Sequence, residues 1–387
     1  MQDQTVCRRC VMDTSARDIA FDLDGNCNYC SEYLAHLAAL DNQSRGSDAT
    51  LDGLESLVDA VKKGGKGKAY DCIVGVSGGV DSSWALVKAV ELGLRPLAVH
   101  MDNGWNSNLA VSNISNLIEG LGVDLFTYVI NWDEYRALMN AFFEADVIDI
   151  ELLYDNALHE VCYSQARKYG VRYILSGSNF STEGMRMPTS WAWGNKWDGR
   201  NILKIAKRSK VKIRTFPLFT TLKWLTYTYL HRIQWVPFLN YFPYNKQEVL
   251  ESLERNHAYT RYPYKHYESV FTRFYQGHIL PTKFGVDKRR VHLSSLVISQ
   301  QLERSVALED LARLPYPSAR DLAVDLTYFL KKMGWDEHRL EEYLRRPEVG
   351  HDEFGSDLTT SLVFPIFRKI RMVSVLLKKF RPDLGRF

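Results

Sequence analysis

The chain of 387 residues lacks any uncharged apolar run of the roughly 18–20 residues that a membrane-spanning helix needs. The nearest approach, residues 220–242, is interrupted by Lys223, His231, Arg232 and Pro237. The opening Met1-Gln2-Asp3-Gln4 has no basic flank and no apolar stretch, so it does not read as a secretory signal; the expected location is the cytoplasm. Internal repeats and low-complexity tracts are missing too. Neither G-x-x-x-x-G-K-[ST] nor G-x-G-x-x-G occurs, which removes the two commonest glycine signatures for phosphate binding. With 45% apolar and 25% charged residues, disorder and a disulfide-stapled miniprotein are also excluded.

Charge is present but uneven. Residues 1–180 hold 14 Lys/Arg against 25 Asp/Glu, while the remainder hold 35 against 21, so a net charge of +3 conceals an acidic front and a basic back. Residues 196–214 alone carry eight Lys/Arg and one Asp. A basic half suits an anionic ligand, and a solvated surface is the plainer alternative. The run 364–387 alternates apolar and basic residues, a pattern fit for a core-facing helix or for peripheral contact with an anionic membrane.

The six cysteines are not scattered. Cys7 and Cys10 form one C-x2-C pair, and Cys27 and Cys30 form a second after a 16-residue gap. Two such knuckles supply four thiolates to a tetrahedral Zn2+, and a full sulfur shell marks a structural rather than a catalytic metal. Cys72 and Cys162 fall in apolar patterns and read as core residues.

The spacing predicts a helix within 33–40, a polar loop over 41–50 and a helix over 51–61. An alternation of strand and helix follows. Strands are expected at 72–76, 97–101, 125–130 and 173–175, with helices at 81–92, 109–121, 135–143 and 156–169. Such alternation predicts a doubly wound parallel α/β sheet, with its site at the carboxyl ends of the strands. Beyond about residue 181 the pattern becomes mainly helical, with helices expected at 247–256, 294–304, 319–333 and 337–344. Three regions result: 1–45, the zinc knuckle segment; 46–190, the α/β domain; and 191–387, a mainly helical region completing the site.

The strongest local signal is VSGGVDSSWAL at 76–86, between the first strand and its helix. Glycines there let backbone N–H groups approach oxyanions, and the helix adds its positive end. Ser77, Gly78, Gly79, Val80, Ser82 and Ser83 are candidate phosphate-binding residues, and Asp81 could hold Mg2+.

SGGVDSS resembles the pyrophosphate loop of the PP-loop (adenine nucleotide alpha hydrolase-like) ATPases, whose fold is HUP-like and which cleave ATP to AMP and pyrophosphate. In that family the end of the next strand, here Asp102, Asn103 and Gly104, holds adenosine. The fourth strand ends in Gly177 and Ser178 at the same sheet edge. More of the chain, including CRRCVMDTS, CNYC, DNGWNSNLAVSNI, GSNFSTEGMRMP and the segment 280–308, is similar to the N-acetyl sugar amidotransferases (WbpG/PseA type) of bacterial LPS O-antigen or nonulosonic acid biosynthesis. The chain after 345 matches no motif. This resemblance implies an ATP-dependent conversion of an acetamido group on a nucleotide-activated sugar to an acetamidino group, with ATP, Mg2+ and Zn2+ as cofactors.

Asp81, Lys283 and Arg289 are then the candidate catalytic residues, and Asn179, Glu183, Arg186, Lys288 and Arg290 candidates for substrate binding. A glutaminase nucleophile is not apparent, since residue 2 is Gln and four thiols serve zinc. Ammonia is expected from a separate HisH-like glutaminase subunit, with a HisF-like channel protein, and no nucleic acid is expected. The rival readings are a PP-loop tRNA-thiolation enzyme and a non-enzymatic zinc- and nucleotide-binding scaffold.

Overall fold

Five short apolar runs pair into one parallel sheet: β1 (Cys72–Gly75), β2 (Pro96–Asp102), β3 (Asp124–Val129), β4 (Tyr173–Ser176) and β5 (Gln234–Pro237). Their order in the sheet is β3-β2-β1-β4-β5. This is a computed structural model, and it describes residues 5–44, 47–263 and 267–357. The basic run 364–387 lies outside the described residues.

The alternation of side chains along each strand serves two cores. Ile73, Val99, Met101 and Ile174 face one layer, where Ala157, Val161 and Ala166 of the helix Leu152–Tyr169 cover them. Cys72, Val74, Ala98, Leu175 and Val236 face the other, under Leu86 of the helix Val80–Glu91, Ile114 and Leu117 of Asn108–Leu121, and Leu54 and Val58 of Ser47–Gly65. Each valine, leucine, isoleucine or methionine side chain among them, taken fully out of water, contributes about 1.5–3 kcal/mol. Local chemistry sets the helix starts: Ser107 and Asn131 accept from the N–H groups of Ala110 and Glu134, capping Asn108–Leu121 and Trp132–Glu144. A sheet covered on both faces is the doubly wound architecture that the alternation predicts.

Three features differ from the sequence reading. Within the polar stretch 41–50, residues 41–44 and 47–50 belong to helices, Asn28–Ser44 and Ser47–Gly65. The expected helix at 294–304 is two helices, Arg289–Ile298 and Arg304–Ala312. And β5 lies beyond residue 190, so the region 191–387 contributes a strand to the sheet as well as helices.

The strand order places the site. The chain runs from β1 outward through β2 to β3, then crosses to β4 and β5 on the other side. The crevice at that reversal lies between the loops that leave β1 and β4. No helix among the described residues is long and apolar enough to cross a membrane.

Candidate nucleotide and metal sites

The loop after β1 is built from its own hydroxyls. Ser77 N donates to Ser82 Oγ at 3.2 Å, Gly79 N donates to Ser77 Oγ at 3.2 Å, and Ser82 Oγ donates to the Gly79 carbonyl at 3.1 Å. Gly78 has φ +82° and presses on the neighbouring helix: a Cβ there would lie 2.9 Å from the Ala110 carbonyl. Across the crevice, a Cβ on Gly177 would come within 2.6 Å of the Asp81 and Ser82 backbone, so only glycine lets the two loops meet.

The loops open onto a cavity of about 1170 Å3. Ser77, Gly79, Val80, Asp81 and Ser82 line it, with Asn103 after β2 and Gly177 and Ser178 after β4. Glu183, Arg186, Lys288 and Arg289 also reach its wall. The carboxylate of Asp81 accepts hydrogen bonds from Tyr244 Oη and Asn179 Nδ2, and it faces the space in which a Mg2+ bound to phosphates would sit. Asn179 is itself buried and acts through Asp81.

Other candidates have different employment. Ser83 is buried in the helix, and Gly78 is turned against Ala110. The Asp102 carboxylate accepts from Gly104 N at 2.8 Å and so shapes the turn after β2. Lys283 is not at the cavity: its side chain is fully buried, with the ammonium on Asp146 at 3.0 Å and on the carbonyls of Tyr343 and Arg346. Arg289 reaches the wall, but its guanidinium holds Asp287 and the carbonyls of Asp310, Leu311 and Arg313. Lys288 is paired with Glu151 at 2.8 Å. The basic run at 283–290 thus largely ties elements together.

Several contributors escaped the sequence reading. His100 is buried; its Nδ1 donates to the Val76 carbonyl at 2.8 Å and its Nε2 accepts from Asn106 Nδ2 at 2.9 Å. Burial holds the imidazole below its ordinary pKa, and the neutral ring ties the loops after β1 and β2 together. Lys246, Arg261 and Arg273 also line the cavity from beyond residue 190, with Arg261 paired to Glu254 and Arg273 to Asp325, and the excess of Lys/Arg in that region was the only signal for them.

The four cysteines do converge. All are fully buried, their sulfur atoms lie within 4.8 Å of one another, and the Cys7–Cys30 and Cys10–Cys27 separations are 3.8 and 3.5 Å. A tetrahedral Zn2+ with bonds of about 2.3 Å places its sulfurs about 3.8 Å apart, so the cage fits that ion. Backbone N–H groups of Arg9, Cys10 and Cys27 point at Cys7 Sγ, as a thiolate requires.

This lobe buttresses the site. Arg290 pairs with Asp13 at 2.8 Å and donates to the Val11 carbonyl, and Arg304 donates to the carbonyls of Cys7 and Cys10. Arg186 bridges Glu32 and Asp18 while lying over the Tyr29 ring, and Tyr33 stacks on Phe180 at 4.5 Å. Arg290 therefore serves the cysteine lobe, and Arg186 joins that lobe to the cavity wall.

No curated protein matches the chain. Among solved structures, an NMN synthetase from Francisella tularensis is 16% identical, covering 56% of this chain and 98% of that one with a TM-score of 0.29. An NH3-dependent NAD synthetase from Campylobacter jejuni is 14% identical, with the same coverages and a TM-score of 0.27. A predicted subunit of tRNA methyltransferase from Methanocaldococcus jannaschii is 15% identical, covering 47% and 75% with a TM-score of 0.29. Likenesses at this level do not bear on activity. Residues 268–371, which include the Arg289–Ile298 and Arg304–Ala312 helices that hold the cysteine lobe, match the model of the LPS biosynthesis protein WbpG-like C-terminal domain.

Proposed function

We propose that this chain is an AMP-forming, ATP-dependent amidotransferase that converts an acetamido group of a nucleotide-activated sugar to an acetamidino group. The observation that carries the reading is the SGGVDSS loop at the reversal of the sheet, its amides and hydroxyls gathered at a helix start and opening onto a cavity lined by charges of both signs. The WbpG-like domain adds the association with surface-polysaccharide synthesis.

An amide carbon is a poor electrophile and its oxygen a poor leaving group. In the proposed reaction the amide oxygen attacks the α-phosphate of ATP and pyrophosphate departs. Ammonia then adds to the O-adenylyl imidate carbon, AMP leaves with the oxygen, and the amidine remains. The protein's part is positioning and charge stabilisation. The loop after β1 would hold the departing pyrophosphate, Asp81 would hold the Mg2+ that neutralises the phosphates, and the cavity beside them would receive the sugar nucleotide.

Ammonia comes from a separate glutaminase subunit in this reading. Cys162 is buried, and burial pushes its thiol up to about 12; Cys72 is equally enclosed. Neither lines the cavity. Release of glutamate from glutamine by the purified chain alone would overturn this part. The same burial leaves neither thiol placed to relay sulfur, which disfavours tRNA thiolation.

The deciding experiment incubates the chain with Mg-ATP, ammonium and a panel of nucleotide-activated di-N-acetyl sugars, followed by mass spectrometry. Gain of ammonia with loss of water on one sugar, matched by AMP, is the expected result. No AMP with any member of the panel refutes the reading.

A further inference from the structure

The Gly78 carbonyl receives two phenol hydroxyls, from Tyr259 at 3.1 Å and Tyr262 at 3.0 Å. Both tyrosines come from the stretch that follows the helix Lys246–Asn256, and the two rings meet edge to face. That stretch is strapped to the helix Asn108–Leu121. Asn113 donates to the Thr260 carbonyl and accepts from Thr260 N, both at 2.9 Å, and Asn116 donates to the Ala258 carbonyl at 2.9 Å. Burial raises both phenols above their ordinary range, so they remain protonated donors at neutral pH.

Nothing in glycine itself fixes this carbonyl. Glycine visits positive and negative φ about equally, so the Gly78–Gly79 peptide, whose N–H donates to Ser77 Oγ at 3.2 Å, can turn over and aim its oxygen at a bound phosphate. An oxygen in that place would repel the ligand. Turning it over would also strand two donors, one fully buried, and a buried donor without a partner is costly.

Resting on the nucleotide site of the proposed function, we infer that Tyr259 and Tyr262 are positioning residues: a pair of hydroxyls on one carbonyl keeps the Gly78 oxygen out of the pyrophosphate cup before ATP arrives. The clamp acts on the part of the site that meets the β- and γ-phosphates. It should leave the adenosine end alone.

The test compares pyrophosphate, Mg-ATP and AMP titrations of the parent, Tyr259→Phe, Tyr262→Phe and the double variant, with thermal melting alongside. Phenylalanine keeps the rings and removes only the hydroxyls. The expected result is a loss of pyrophosphate and Mg-ATP affinity of roughly threefold in each single variant and tenfold or more in the double variant, with AMP affinity unchanged. Pyrophosphate affinity within threefold of the parent in a folded double variant overturns the clamp, as does an equal loss for AMP. If the double variant does not fold, the singles decide by the same contrast between pyrophosphate and AMP. A parent that binds neither pyrophosphate nor ATP refutes the nucleotide site itself, a distinguishable failure.

Discussion

The Asn179 side-chain amide donates to the Asp81 carboxylate at 3.2 Å, joining the loop after β4 to the first turn of the helix after β1. The same Asn179 side chain caps the short helix Phe180–Glu183 by accepting from Thr182 N at 2.8 Å. One residue therefore sets both the direction of the loop and the carboxylate assigned to Mg2+.

Substituting Asp81→Ala should lower AMP formation by about 100-fold or more, the scale of losing a group that stabilises developing charge. Asn179→Asp separates the two duties of Asn179. It keeps an oxygen for the cap but places a second carboxylate against Asp81, so it should weaken Mg-ATP binding more than Asn179→Ala does. An Asn179→Asp protein with parental KM for Mg-ATP would show that the contact with Asp81 is idle.

Removing zinc should destabilise more than the N-terminal lobe, because Arg290 and Arg304 fasten that lobe to helices of the C-terminal region. Cys10→Ser or exhaustive chelation should release one Zn2+ per chain, read by elemental analysis. Melting should fall by roughly 4 °C, corresponding to about 3 kcal/mol in a chain of this size. Unchanged melting after complete metal loss would contradict the structural role.

Acid should loosen the protein through His351. Its Nε2 accepts from Asp149 N at 3.1 Å, and its Nδ1 donates to Asn201 Oδ1 at 2.9 Å, so the folded ring is neutral. Burial lowers its pKa to about 4. An unfolded histidine takes a proton near 6.5, so this contribution is fully present above that pH and is lost as pH falls from about 6.5 to about 4. The change amounts to about 3 kcal/mol at most. Urea unfolding between pH 7 and pH 5 should show the decline, and His351→Gln should flatten it; equal slopes would remove His351 as the cause.

Lys283→Ala should cost about 3 kcal/mol or more, because it leaves Asp146 with one fewer cation and opens a buried space beside the Tyr343 ring. KM for Mg-ATP should stay at the parental value. Loss of AMP formation with full stability would restore Lys283 to the chemistry.

The parts of the site that could be read in the sequence are those whose chemistry is local. Four cysteines in two close pairs have one geometric solution around a small metal ion, and a Ser-Gly-Gly turn between strand and helix presents amides wherever it occurs. β5 was illegible because four residues, Gln234–Pro237, inside an aromatic-rich stretch give no alternation to count. The basic run 283–290 was legible as charge but not as employment. The carbonyls and carboxylates that Lys283, Arg289 and Arg290 hold come from distant parts of the chain, as with Arg290 and Asp13. Tyr244, Tyr259 and Tyr262 were hidden for the same reason, since an aromatic-rich sequence reads as core until a hydroxyl is found on a loop.

The fastening of Cys7 and Cys10 by Arg304 also has a bearing on the order of events during synthesis. The cysteine lobe leaves the ribosome well before its seat, which is made nearly 300 residues later; the Cys10–Arg304 bond spans 294 positions. At about 5–20 residues per second, the finished metal knot would wait roughly 15–60 s with its docking face uncovered. Nascent chains stalled before residue 290 should therefore hold their metal while exposing that face to protease.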